Sequence, residues 1–346
     1  MKKLGAPAFL LTSETDYFYA TGFTCEESAV MITTRDVYII TDRRFEDQVV
    51  IDCPWAKVVM RSGLINPEVG ALCKKLRIKT LALQGDAVSL STRDDLKKHL
   101  RGVKLVTAGP VFSVQRACKS SDEVKAMNKA LRVAEDAFRA TIETIRPGQT
   151  EAELAARIEY EMKCRGASAP AFGTICAEGP NSALPHARPG KRKVKKGSAI
   201  LFDWGARVGG YCSDLTRVVF VGSIAPKWRR VYELVLEAQM AAIDAIKPGR
   251  RMNEIDAVAR QLIDETGFKG KFSHGLGHGL GLDVHERPSL SWRSDEELIP
   301  GMLVTVEPGV YLPGFGGVRI EDDILVTSGG HRVLSKLDKS LDAAVI

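Results

Sequence analysis

No apolar run in this chain comes near the ~20 residues needed to cross a bilayer, which excludes a membrane-spanning helix. The opening Lys2-Lys3-Leu4 leads into an apolar stretch that reaches only Leu11 and contains Pro7. It has no small-residue cleavage site, so it does not read as a signal peptide. Cys-x-x-Cys spacing is absent and the seven cysteines are odd in number, so they are expected to be reduced thiols of a cytoplasmic protein. The H-E-x-x-H pattern is missing, which rules out that type of zinc protease. Net charge is modest, +6 over 346 residues. The one basic run, Lys191, Arg192, Lys193, Lys195 and Lys196, has no interleaved aromatic residue to stack on bases. It is expected to be a solvated loop after Pro189-Gly190, with no nucleic-acid partner.

What is present is a soluble globular composition, 45% hydrophobic and 27% charged, at a length that predicts two domains. The first, 1–118, mixes strand-like and helix-like pieces. Ala29–Thr33 and Val37–Thr41 form a hairpin pattern, Arg43–Ile51 and Asn66–Leu76 are predicted helices, and Thr80–Leu83 is a predicted strand. Nothing in it clusters like a catalytic site. The second, 119–346, opens on Ser120-Ser121-Asp122-Glu123, a capping box. Behind the box Val124, Met127, Leu131, Ala134, Phe138, Ile142 and Ile145 mark one face of a long helix that ends at Pro147-Gly148.

This second part repeats itself. Ile145-Arg146-Pro147-Gly148 returns 101 residues later as Ile246-Lys247-Pro248-Gly249. Each copy precedes a predicted helix, 150–165 and 253–266, and each helix is expected to stop at a glycine, Gly166 and Gly267. GSAILFDWG (197–205) then matches GMLVTVEPG (301–309). A duplicated helix–helix–strand unit accounts for this. The two halves are expected to pack about a pseudo-twofold axis with one sheet curling across both.

The repeat places acids in pairs: Asp203 with Glu307, and Asp214 in YCSDLTRVVF with Glu321 in GVRIEDDILV. A carboxylate on a buried apolar strand is costly unless it is paired or bound to metal. Histidine is scarce, six in all, yet His274, His278 and His285 fall within twelve residues in SHGLGHGLGLDVHE (273–286). Four glycines separate them, and a stretch so rich in glycine is expected to be neither helix nor strand. Four carboxylates and one imidazole can hold two divalent cations. Their oxygen-rich set favours Mn²⁺, with Co²⁺, Zn²⁺ or Fe²⁺ as alternatives. No cysteine is among these residues, which argues against a structural zinc site. Two such ions activate water for hydrolysis of an amide or a phosphate ester.

On these residues the chain resembles the methionine aminopeptidase/prolidase clan over about 119–330, with a weaker likeness at Asp16–Phe23 (DYFYATGF). The resemblance implies an α/β (α+β) architecture: a C-terminal pita-bread fold with internal pseudo-twofold symmetry, preceded by a smaller creatinase-like α/β domain. It implies five metal ligands, Asp203, Asp214, His278, Glu307 and Glu321. Asp203 would chelate one ion, His278 and Glu307 would serve the other, and Asp214 and Glu321 would bridge. It further implies Glu307 as general base, His186 and His285 as catalytic histidines outside the ligand set, and His274 and Arg319 as substrate-site residues.

The stretch G-V-R-I-E-D at 317–322 and the complete ligand set point to the proline-specific peptidases rather than to methionine aminopeptidases, creatinases or a catalytically silent binding module. Within that subgroup the expectation is an Xaa-Pro aminopeptidase (aminopeptidase P), with an Xaa-Pro dipeptidase (prolidase) as the alternative. A prolidase grips a C-terminal carboxylate, usually with arginine. Arg293 is the candidate, against its reading as a surface residue beside Asp295 and Glu296. The expected partners are a proline-containing peptide and a second copy of the chain, as a homodimer.

Overall fold

The computed structural model describes residues 5–346, so Lys2-Lys3-Leu4 lies outside the described residues. The chain divides into two compact units, one ending at Gln115 and the other running Arg116–Ile346. No helix among the described residues is long and apolar enough to cross a membrane.

The first unit is built on a six-stranded mixed sheet. From edge to edge its strands are Lys57–Met60, Val37–Thr41, Ala29–Thr33, Ala8–Leu11, Thr80–Gln84 and Lys104–Ala108. The apolar runs 29–33 and 37–41 pair antiparallel, Ala29 opposite Ile40, as the β-branched pattern around a short turn dictates. Arg43–Phe45 is a separate 3₁₀ turn leading into the helix Glu46–Asp52, because the Asp42 carboxylate takes the Arg44 N–H.

In the second unit Ser120 and Glu123 form the full capping box, and the helix runs Ser121–Ile142. It stops short of Ile145, where the Thr144 hydroxyl donates to the Thr141 carbonyl at 2.8 Å. Its apolar face meets the strand Ala199–Trp204. Phe138 stacks on Trp204 with ring centroids 4.5 Å apart, and Trp204 Nε1 donates to the Ala134 carbonyl at 3.0 Å. Along that strand Ile200, Phe202 and Trp204 join the core under this helix, whereas Ala199 and Leu201 join the core under the helices Pro226–Asp244 and Met252–Asp264. Period-two alternation therefore puts Asp203 on the same face as Ala199 and Leu201.

The repeat is visible in the register. Ala199–Trp204 pairs antiparallel with Leu215–Phe220, and Leu303–Val306 with Asp322–Thr327. Two details differ from the sequence expectation. The first helix pair ends at Gly166, in the left-handed region at φ 98°. Gly267 has no such role; beyond Asp264 the turn closes when the Asp264 carboxylate takes the Gly270 N–H at 2.8 Å, with Gly270 at φ 71°. The two halves also do not share one ladder. A three-stranded and a five-stranded sheet stand side by side, joined where the Glu321 N–H donates to the Thr216 carbonyl at 3.2 Å.

Candidate metal centre

Each acid of the repeat sits at the end of a buried strand. Asp203 lies opposite Thr216, Asp214 immediately precedes Leu215–Phe220, Glu307 follows Leu303–Val306, and Glu321 precedes Asp322–Thr327. His278 is the centre of the short strand Gly277–Gly279, so the glycine-rich stretch is strand after all. The sequence argument weighed glycine's poor packing and missed its other property, close approach. A Cβ on Gly277 would stand 2.0 Å from the Thr305 carbonyl oxygen, and one on Gly279 2.1 Å from that of Arg287. Only glycine lets His278 be threaded between its two neighbours. A register shift between His278 and Gly279 then re-aims the imidazole.

The result is a tight cluster. One oxygen each of Asp214 and Glu321 and a His278 ring nitrogen lie within 4.8 Å of one another. His278 Nε2 is 3.4 Å from Glu307 Oε1 and 3.7 Å from Asp214 Oδ2. Burial, reinforced by Glu321, Asp203 and Glu307, drives the Asp214 carboxyl far above the usual carboxylate range. Burial does the same to Glu321, with Glu307 and Asp203 adding to it. Burial also raises Asp203 against the pull of Arg319, and pushes Glu307 up to about 8. The same burial pushes His278 down to about 4.

Arg319 is the resident counter-charge. Its guanidinium pairs with Asp203 Oδ2, approaches Glu307 Oε2 at 3.9 Å and donates to the Thr216 hydroxyl at 3.1 Å. Thr216 in turn donates to Glu321 Oε2 at 2.7 Å. Among the described residues, Asp203 Oδ1, Asp214 Oδ1 and Glu321 Oε1 in this cluster are buried without a hydrogen-bond partner. Orphaned carboxylate oxygens converging on a neutral imidazole are a poor structural core and a good cation site. The donor set fits a divalent metal ion. Arg319 engages Asp203 Oδ2 and leaves Oδ1 without a partner among the described residues.

Around the cluster is a cavity of about 1020 Å³, lined also by His186, His274, His285, Thr174, Trp292 and Arg293. His285 is exposed, its ring 4.2 Å from that of His278, and His186 is exposed as well. His274 is fully engaged by the protein: Nδ1 meets the Gly275 carbonyl at 2.9 Å and Nε2 meets the Tyr311 hydroxyl at 2.8 Å. Burial and then Arg319 push it down to about 3, so the ring is neutral. A neutral ring that donates at Nδ1 must accept at Nε2. Tyr311 therefore donates to His274 and accepts from Arg319 Nη1 at 2.7 Å. Both His274 and Arg319, expected to touch substrate, spend their polar atoms on the protein. Arg293, by contrast, is exposed on the cavity and forms no ion pair among the described residues; its guanidinium lies 5.4 Å from the Trp292 ring. Glu296 is engaged elsewhere, by Arg287.

Sequence reasoning missed Thr216, Thr305 and Tyr311. Thr305 accepts the His278 N–H at 3.1 Å and donates to Glu307 Oε1 at 3.4 Å. A threonine in an apolar strand carries no spacing signal. Tyr311 could have been suspected, since a buried hydroxyl among apolar residues needs a partner.

Residues 125–328 match the profile of metallopeptidase family M24, well over half of the chain. The chain belongs to that family. Residues 1–118 of this M24 chain match the creatinase/prolidase N-terminal domain, and the second unit has the pita-bread fold. Relatives are similar over most of their length. The Xaa-Pro dipeptidase of Pyrococcus furiosus is 41% identical over 76% of this chain and 75% of that one. The structure of an Xaa-Pro dipeptidase from Bacillus anthracis is 37% identical, covers 100% of this chain and 96% of that one, and superposes with a TM-score of 0.95. An X-Pro aminopeptidase structure from Thermotoga maritima is 35% identical, covers 100% and 99%, and superposes with a TM-score of 0.94. The chain is a metal-dependent peptidase.

The close approach at Gly277 has a testable cost. Gly277→Ala is expected to push the strand away from Thr305 and lower metal affinity by about 10–100-fold, as loss of a ligand's supporting contact does. Isothermal titration of the variant with Mn²⁺ measures it; unchanged affinity would show that the strand tolerates the added carbon.

Proposed function

We propose that this chain is an Xaa-Pro dipeptidase, and that Asp203, Asp214, His278, Glu307 and Glu321 hold two divalent ions, Mn²⁺ ahead of Co²⁺, Zn²⁺ or Fe²⁺. The observation that carries the dipeptide preference is Arg293, a cation without a carboxylate partner on the cavity wall. A dipeptide leaves a carboxylate directly after the proline, and a guanidinium is the side chain suited to it. The names of the Pyrococcus and Bacillus relatives support the same choice over the aminopeptidase expected from sequence.

When bound, the ions supply Lewis acidity and a nucleophilic water at neutral pH. The protein supplies the rest. Glu307, whose Oε1 accepts from Thr305 and whose Oε2 lies 3.9 Å from Arg319 Nε, is the group to accept the proton of the attacking water. The leaving group is the secondary amine of proline, which must be protonated as it departs, and Glu307 passes the proton on. His285 and His186 both line the cavity and donate to the carbonyl as charge develops on it. Arg319, fixed by Tyr311 and His274, holds Asp203 and Glu307 in place. An Xaa-Pro bond has no N–H to offer a strand-like grip, so recognition by side chains around a cavity suits it.

A second reading, the Xaa-Pro aminopeptidase, is favoured by one observation. A cavity of about 1020 Å³ leaves room for residues beyond the proline. The test is Mn²⁺-loaded protein given Ala-Pro, Ala-Pro-Ala and Met-Ala-Ala. Ala-Pro is expected to be cleaved at least about tenfold better than Ala-Pro-Ala, and Met-Ala-Ala not at all. Arg293→Ala is expected to raise KM for Ala-Pro by about 10–100-fold, the worth of one charge-assisted hydrogen bond, and to change the tripeptide little. Equal cleavage of both proline peptides with no effect of Arg293→Ala would hand the assignment to the aminopeptidase.

A further inference from the structure

The His285 ring forms no hydrogen bond among the described residues, so its orientation has to come from the backbone that carries it. That backbone is a tight loop. The Gly281 carbonyl accepts the Cys212 N–H at 2.7 Å, and the Leu282 carbonyl accepts from Arg207 Nη1 at 2.7 Å. On either side of His285 stands an acid, and both acids are held by one short basic segment. Asp283 Oδ2 takes Arg116 Nη1 at 2.8 Å, and Glu286 Oε1 takes Lys119 Nζ at 2.8 Å. The Lys119 and Glu286 side chains are each only 1% exposed. Arg116 Nη1 is also 3.7 Å from Glu286 Oε2, which has no hydrogen-bond partner.

The loop is folded around the Glu286 carboxylate itself. A Cβ on Gly281 would stand 2.2 Å from Glu286 Oε1, so the chain passes close over the carboxylate there. A buried ion pair of this kind adds little net stability, because desolvation of both ions offsets their attraction. What such a pair can do is fix one geometry, and the residue next to Glu286 is His285.

We propose that the Lys119–Glu286 pair is a positioning device for His285, holding the imidazole at the angle from which it meets the substrate. The proposal rests on the reading of His285 as a substrate-facing group outside the metal ligands. Neither Lys119 nor Glu286 touches the cavity; both act through the loop. Arg116 closes the other end of the same loop through Asp283.

The experiment is a double-mutant cycle with three readouts: kcat, metal per chain and melting temperature. Lys119→Met leaves a buried carboxylate alone and is expected to lower the melting temperature. The near-isosteric pair K119M/E286Q removes both charges and is expected to recover most of that loss. In K119M/E286Q, kcat for Ala-Pro is expected to fall by about 10–100-fold with metal per chain unchanged, the usual effect of removing the support behind an active group. Lys119→Arg, which keeps the charge, is expected to retain more activity than Lys119→Met. In a His285→Ala background the same pair of substitutions is expected to change kcat hardly at all, because the group it positions is gone.

A K119M/E286Q variant with parental kcat would overturn the proposal, and so would an equal fall in kcat with and without His285. Failure of the underlying reading is separate and visible in one variant alone: His285→Ala with normal turnover.

Discussion

Asp214→Ala and Glu321→Ala are each expected to cut turnover by more than about 10³-fold, roughly 4 kcal/mol of barrier, and to release metal as they do so. The reason is their place at the centre of the cluster. Each contributes a buried oxygen without any hydrogen-bond partner, and these two acids with His278 are the group whose ligand atoms crowd within 4.8 Å. Removing one leaves its partners with their mutual repulsion only partly relieved and the cation short of a ligand. Exhaustive chelation of the parent should abolish activity, and Mn²⁺ or Co²⁺ should restore it. A readout independent of turnover is available, since a ligand that binds only the folded state must raise the melting temperature by mass action. Added Mn²⁺ is expected to stabilise the parent and to leave either variant nearly unmoved. Two metals per chain with near-normal turnover in either variant would refute the ligand assignment, and full activity in metal-free protein would refute the metal requirement.

The second large effect separates two histidines whose rings are 4.2 Å apart. His278 lies among the carboxylates, and its loss is expected to empty the site. His285 stands exposed on the cavity side of it. His285→Ala is expected to keep its metal and to bind substrate nearly normally, while kcat falls by about 10²–10³-fold. That is the worth of a donor aimed at charge that develops in the transition state. Metal stoichiometry and kcat measured on both variants decide the matter. If both lose metal alike, the division of labour between the two rings is wrong.

The parts of this site legible in the sequence were those that the duplication wrote twice. Asp203 with Glu307, and Asp214 with Glu321, stand at matched strand ends because two copies of one unit fold alike. The capping box at Ser120 was equally plain, since its chemistry is local. What stayed hidden depends on contacts across the chain. The strand at 277–279 looked like a loop because glycine statistics describe an average environment; here the determining fact is the Thr305 carbonyl 2.0 Å from a missing Cβ. Tyr311, His274 and Arg319 form a chain of hydrogen bonds whose members are only eight to forty-five residues apart, yet nothing in their spacing marks them as one unit. Likewise, spacing could name Arg319 but not reveal that its guanidinium would be consumed by Asp203. The break between the two sheets was hidden for the same reason, since it is bridged by contacts of Thr216 and Arg217 with Glu321 and Asp322 about a hundred residues away.

That seam between the halves has a bearing on how the protein comes to be active. Asp203 and Asp214 belong to the first copy of the repeat, and His278, Glu307 and Glu321 to the second. The close cluster of Asp214, His278 and Glu321 draws on both copies, and the contact between Thr216 and Glu321 that unites them spans about a hundred residues. Metal capture is therefore a report that both copies have closed on each other. A half-assembled chain lacks that cluster, so closure of the two copies and assembly of the site are one event.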